Sequence, residues 1–106
     1  MIYKVYYSEK AENDLHSIFQ YIAYSLSAPI AAKKQTYDIM EEISRLDENP
    51  LRYPLYKREP WRGKGLRFFS INNYVVFYLP EEDSNRVVIV RIMFGGRNID
   101  KQLNID

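Results

Sequence analysis

The sequence predicts an α+β fold: an N-terminal strand, an antiparallel helical hairpin, then a three-stranded antiparallel meander, with all strands in one sheet. Three observations predict it. Apolar residues recur at three- and four-residue steps through 9–26 and again through 30–46, the spacing of one helical face. β-branched and aromatic residues crowd residues 2–7 and three later segments, "LRFFSI", "YVVFYL" and "RVVIVRIMF", as strands require. The turns between those three segments are short, and consecutive strands joined that way run antiparallel.

Each element has its own signal. "IYKVYY" alternates and reads as the first strand. Ser8 offers an N-cap, and Glu9, Glu12 and Asp14 suit the positive end of the helix that follows. Ala11, Leu15, Ile18, Ile22 and Leu26, with Phe19 beside them, make its apolar face. "SAP" breaks that pattern. Ser27 or Ala28 can cap a second helix with Pro29 near its first position. Ile39, Met40, Ile43 and Leu46 form the second stripe, and "DENP" closes it, because Pro50 disfavours helical geometry at Asn49. A break this short folds two helices into a hairpin. Residues 50–64, with Pro50, Pro54, Pro60 and Gly63, read as an extended basic loop. Asn72-Asn73 and "PEEDSN" supply the later turns.

The last strand is apolar at both parities. Val88, Val90, Ile92 and Phe94 make one face and Ile89 and Met93 the other, with Arg91 interrupting the second. Such a strand is expected at the centre of the sheet. By the same alternation Arg91, Met93, Gly95 and Arg97 point one way. Only one face can meet the hairpin, so the Arg91 face is open or covered by something else. The paired glycines that end "RIMFGGRN" permit unusual backbone angles and leave a gap where a partner's backbone can approach.

Composition bounds the function. At 106 residues the chain is expected to be one domain, 1–106, and its 46% hydrophobic and 27% charged content suits a folded globular chain. The chain has no cysteine, which excludes disulfides and thiolate metal sites and fits a cytoplasmic location. No apolar run approaches the ~18 residues of a membrane span, so no membrane partner is expected. The start carries no apolar leader, so Met1 is expected to begin the mature protein. Net charge is +1, yet residues 52–67 hold Arg52, Lys57, Arg58, Arg62, Lys64 and Arg67 against Glu59 alone, a local balance of +5. Such a pole implies a polyanionic or acidic partner.

Taken in order, "YKVYYSEKAENDLHSIFQYI", "APIAA", "ISRLDENPLRYP", "GLRFFSINNYVVFYLPEED" and "VVIVRIMFGGRN" resemble a toxin of the RelE/ParE superfamily, from bacterial type II toxin–antitoxin modules. The resemblance spans nearly the whole chain, and the closing Arg-x-x-x-Gly-Gly-Arg is its most specific part. It implies a cytoplasmic growth inhibitor, neutralised by a cognate antitoxin encoded by the adjacent gene. It also implies one of two targets: mRNA in the ribosome, cut by a metal-independent endoribonuclease, or DNA gyrase, bound and inhibited without catalysis.

Residue chemistry weighs the two. RNA cleavage needs a base, an acid and cations on the phosphate. The single histidine, His16, lies on the helix side away from Leu15 and Ile22, a solvated position. The motif of the RelE-type ribonucleases falls here on Arg67, then on Phe69 where a second basic residue is expected. It places Val75 where an arginine is expected after Tyr74, and about Leu103 where a terminal tyrosine is expected. A catalytic set is left only if Tyr74, Tyr78 and Arg91 join Arg67 and Arg97 on one sheet face, with a tyrosine pKa lowered by the arginines. The "SLSAPIAAKK" junction, and a segment from Leu79 onward without histidine or tyrosine, resemble the ParE branch instead. Its binding surface is expected at Lys57, Arg58, Trp61, Arg62 and Lys64, with Arg67, Arg91 and Arg97. No metal or cofactor site is expected, since no P-loop, nucleotide fingerprint or metal-ligand spacing occurs. The chain has no helix-turn-helix, so promoter DNA is expected to be bound only through the antitoxin. A gyrase-binding toxin is the leading expectation, a ribosome-dependent endoribonuclease the alternative, and a harmless antitoxin-binding relic the third.

Overall fold

The computed structural model describes residues 2–96 and 99–103. Ser8 closes the first strand, β1 (Lys4–Tyr7), and opens the first helix, α1 (Glu9–Gln20), its Oγ accepting the Ala11 N–H at 3.0 Å. α1 runs on into a π-helical turn, Tyr21–Ser25, and Ser27 then adopts φ 52° to reverse the chain. The second helix, α2 (Pro29–Ser44), starts with its proline at the first position and unwinds through a 3₁₀ turn, Arg45–Asp47. Beyond a turn at Pro50–Arg52 and a short helix, α3 (Trp61–Lys64), come β2 (Arg67–Ile71), β3 (Tyr74–Glu81), β4 (Arg86–Phe94) and α4 (Ile99–Gln102).

The four strands form one sheet in the order β1-β4-β3-β2, so β4 is interior as its two-sided apolarity predicts. The meander β2-β3-β4 is antiparallel, but β1 pairs parallel with β4, from Lys4↔Arg86 to Tyr7↔Ile89. The sheet is therefore mixed, not antiparallel throughout. Parallel partners need a long crossover, and here the helical hairpin and the meander lie between them. Neither strand's own alternation encodes the direction of so distant a pairing.

β4 also departs from simple alternation. Phe77 pairs with Arg91 and Tyr78 with Ile89, leaving Val90 as a bulge. The bulge rephases the strand. Val87, Ile89 and Ile92 all face the hairpin, packing with Ala11, Ile39, Ile43, Leu46, Phe69, Val76 and Tyr78. Val90 and Met93 face the other way. The grouping of Val88, Val90, Ile92 and Phe94 on one face is thereby corrected.

The helix-side core is closed around Tyr78, which has no solvent exposure and whose hydroxyl donates to the Pro50 carbonyl at 2.6 Å. In α2 the buried stripe is Ala32, Thr36, Ile39 and Ile43. Thr36 can be buried because its hydroxyl donates back to Ala32 O at 3.0 Å. Met40 and Leu26, expected on the buried faces, are 41% and 55% exposed. They join Tyr21, Tyr24, Ile30 and Tyr37 as exposed apolar side chains of the hairpin.

The other sheet face is covered, by the segment before β2 and by α4. Leu66, Phe77, Val90, Met93 and Leu103 form a second buried cluster, with Tyr56, Trp61, Phe68 and Ile99 packed against it.

Candidate functional site

The covering segment is built on the outer edge of β2. Leu55 bridges Arg67, and Tyr56 N–H donates to Leu66 O at 2.7 Å, so residues 54–56 run beside the strand as a short added edge. The chain then turns through 57–60 into α3. Gly65 ends α3 at φ 87°, a conformation that side chains resist. Leu66 N–H donates back to Trp61 O at 3.1 Å and Gly65 N–H to Arg62 O at 3.1 Å, a glycine-terminated cap. At the other end Glu59 Oε1 accepts the Gly63 N–H at 2.7 Å. What reads in sequence as extended loop is thus a closed, capped turn.

That turn sorts the basic residues of 52–67 into two groups. Arg67 is tied to backbone, donating to Leu51 O at 3.2 Å and Tyr53 O at 2.6 Å. Arg52 donates to Arg45 O at 3.1 Å, and Arg58 pairs with Asp100 of α4 at 3.0 Å. Asp100 also accepts from the Tyr56 hydroxyl, so one carboxylate fastens α4 to the turn. The remaining three, Lys57, Arg62 and Lys64, are exposed, and no ion pair joins them to an acid among the described residues. Trp61, half-buried, seats its ring on the second cluster, and Lys64 Nζ lies 5.1 Å from its centroid. A shallow cleft of about 430 Å³ opens beside them, lined by Arg58, Glu59, Pro60, Trp61, Lys64, Asp100 and Lys101.

Arg91 lies elsewhere. Its Nε and Nη2 bind the two oxygens of Asp14, on α1, at 2.7 and 2.9 Å, and Nη1 donates to Gln102 O at 3.1 Å. Asp14 Oδ2 also accepts the Ile92 N–H at 2.9 Å, while Ser8 Oγ donates to Val90 O at 3.0 Å. β1 is too short to pair the whole of β4, and these two side chains stand in for the missing strand. The hydrogen bonding that Arg91 donates to Asp14 raises the Arg91 pKa against the opposing effect of burial. The pair borders a groove of about 650 Å³ between α1 and the end of β4, which Tyr21, Tyr74 and Phe94 also line. Sequence reasoning assigned Asp14 only to the helix dipole. The missed signal was Arg91 itself, since an arginine inside an apolar strand requires a carboxylate.

The proposed ribonuclease constellation does not assemble on one face. Tyr78 pairs with Arg67 and belongs to the helix-side core, whereas Arg91 pairs with Phe77, whose side chain belongs to the opposite cluster. Nor are the tyrosines activated. Burial pushes Tyr78 up to about 12 despite nearby Arg67, and burial also raises Tyr74. Arg97 lies outside the described residues. The two glycines are exposed and Gly96 lines the groove beside Phe94, where an added Cβ would come within 2.8 Å of the Phe94 ring. Neither Gly95 nor Gly96 uses a left-handed backbone.

Residues 5–99 match the family model described as the ParE toxin of the type II toxin–antitoxin system parDE. No curated protein sequence matches closely enough to count as a relative. Among solved structures, the fold is similar to a chain of the chromosomal ParDE toxin–antitoxin system from P. aeruginosa. The TM-score is 0.72 at 21% identity, over 88% of this chain and 96% of that one. It is also similar to a chain of the toxin–antitoxin complex RelBE2 from Mycobacterium tuberculosis, with TM-score 0.67 at 22% identity over 89% and 99%. A chain of the archaeal RelE–RelB complex from Pyrococcus horikoshii OT3 gives TM-score 0.63 at 19% identity over 92% and 99%. At these identities the likeness is one of fold.

Proposed function

Because the chain belongs to the ParE toxin family of type II toxin–antitoxin systems, we propose that this toxin inhibits growth by binding DNA gyrase in the cytoplasm, not by cutting RNA. The observation that carries this reading is the state of Tyr78. A general base or acid must reach substrate and change protonation near the working pH. Tyr78 is buried, its hydroxyl is committed to Pro50 O, and its pKa is about 12. The arginines of the ribonuclease alternative hold their protons at all ordinary pH, and Arg91 is already neutralised by Asp14.

Binding, by contrast, suits what the second face presents. Trp61 is an aromatic anchor on a glycine-capped turn, Lys64 lies over its ring, and Lys57 and Arg62 are exposed on the same turn. Aromatic and arginine residues dominate interface energetics, and charge speeds encounter. Arg58, Arg67 and Arg91 hold this surface and its neighbours in place. The partner that restrains the toxin is proposed to be a cognate antitoxin from the adjacent gene, as the similar solved structures are toxin–antitoxin complexes. Its apolar contacts would fall on the exposed hairpin residues Tyr21, Tyr24, Ile30 and Tyr37 and the groove beside Phe94.

The test is to titrate purified chain into a gyrase supercoiling reaction and, separately, into translating ribosomes. Supercoiling should fall while mRNA stays intact, and the Trp61→Ala, Arg62→Gln double variant should need at least roughly tenfold more protein, as loss of one hot spot implies. Cleaved mRNA with undiminished supercoiling would falsify the gyrase reading and favour the endoribonuclease.

A further inference from the structure

We propose that the turn carrying α3 is a binding element for the sugar-phosphate backbone of duplex DNA, belonging to the toxin chain itself. The argument begins with which charges are left over. Of six basic residues in 52–67, three are consumed by backbone carbonyls or by Asp100, and three are not. The unconsumed three, Lys57, Arg62 and Lys64, all lie on one turn of eight residues, 57–64. The nearby acids do not neutralise the turn: Lys57, Arg58, Arg62 and Lys64 stand against Glu59 and Asp100, a balance of +2. Glu59 Oε1 accepts from Gly63 N–H, and Asp100 serves Arg58 and the Tyr56 hydroxyl.

The scaffold beneath is rigid enough for docking. The turn is closed at both ends by hydrogen bonds and seated on a buried cluster through Trp61, so presenting these cations costs little ordering on binding. Repulsion among them in the free protein is relieved by a polyanion, which makes the charge pattern a binding device and not a stabilising one.

Trp61 indicates which polyanion. Single-stranded nucleic acid is held by stacking bases on open aromatic faces. Here the ring packs on the second cluster and Lys64 lies 5.1 Å from its centroid, so it is not presented as an open stacking platform. What remains is phosphate recognition, which a duplex satisfies with its regularly spaced charges. No element of this turn can enter a groove to read bases, so the contact is independent of sequence and leaves operator recognition with the antitoxin. On gyrase, the same turn would favour enzyme that is already holding DNA.

Trp61 is the only tryptophan in the chain, so its fluorescence reports directly on the proposed contact. The experiment titrates the whole chain with a short DNA duplex of mixed sequence, without gyrase, at 50 and 200 mM salt. Three phosphate contacts predict a logarithmic salt slope of about −2.7, a roughly 40-fold loss of affinity across that range. The triple variant Lys57→Gln, Arg62→Gln, Lys64→Gln should abolish the response with its thermal melt unchanged. Lys33→Gln, on the exposed face of α2, should leave binding intact. Duplex RNA and poly-glutamate are the competing arms. The proposal is overturned if DNA gives no saturable response at 50 mM salt. It is overturned equally if the triple variant binds as well as the parent, or if poly-glutamate or duplex RNA displaces DNA at equal or lower charge concentration. Because gyrase is absent, failure here is separate from failure of the gyrase reading.

Discussion

The two faces of the sheet are covered by different means. On one side the hairpin lays two long helices, with Ile39 and Ile43 of α2, over Val76, Tyr78, Val87 and Ile89, all without solvent exposure. On the other, a capped turn and the four-residue α4 roof a smaller cluster, and an exposed carboxylate, Asp100, joins the two pieces. The first cover is held by area removed from water. The second is held by caps, one ion pair and a seated tryptophan, and it carries the uncompensated charge. The molecule keeps its larger core on one side and carries Lys57, Arg62 and Lys64 exposed on the other.

Four measurements break or sharpen that contrast. The largest effect is expected from Ile89→Ala, which opens a cavity against α1 and α2 and should cost about 3–4 kcal/mol, read from the urea unfolding midpoint. A loss under 1 kcal/mol would mean the hairpin side is not the stable one. Next is Asp14. Asp14→Ala strands Arg91 and orphans the Ile92 N–H, and should cost roughly 3 kcal/mol. Asp14→Asn keeps an acceptor for Ile92 and should recover about 1 kcal/mol of that. Equal losses would show that the carboxylate acts on Arg91 alone.

The third test uses alkali. Tyr78 and Tyr7 have pKa values raised to about 12 by burial, above the ordinary tyrosine value of 10.0. The unfolded chain therefore loses these protons first. Stability should be complete below about pH 10 and fall as pH rises toward 12, with Tyr78 contributing on the order of 3 kcal/mol. Absorbance at 295 nm should lag behind that of the urea-unfolded chain, and Tyr78→Phe should flatten the pH dependence of the unfolding midpoint. The smallest effect is expected at Asp100. Asp100→Asn weakens a surface pair and should change global stability by less than about 1 kcal/mol. Amide exchange of Leu103, whose N–H donates to Ile99 O at 2.8 Å, should nevertheless quicken. A large global loss would make the two covers equals.

The contrast also explains what was legible in the sequence. Periodicity reports a face packed by regular elements, so the hairpin, its Ser8 and Pro29 starts and the interior place of β4 could all be read. Direction of a non-local strand pair, and the bulge at Val90, arise from closure of the whole sheet and have no local signature. The cover over Phe77 and Met93 was unread because it is made by capping geometry in "REPWRGKG", not by a repeat. Individual cations were readable as charge, but only partners distant in sequence decide which are free. Asp14 for Arg91, Leu51 and Tyr53 for Arg67, and Asp100 for Arg58 are such partners.

The bulge at Val90 has an evolutionary corollary. Val90 and Arg91 together oppose Phe77 on one side of the sheet. Losing the Val90 codon would therefore leave Tyr78 opposite Ile89 and Phe77 opposite Arg91, with Val87, Ile89 and Ile92 still beneath the helices. Losing Ile89 or Ile92 would instead hand a place in that core to a residue that now lies outside it. Descendants of this gene should therefore tolerate a lost codon at Val90 more readily than at Ile89 or Ile92.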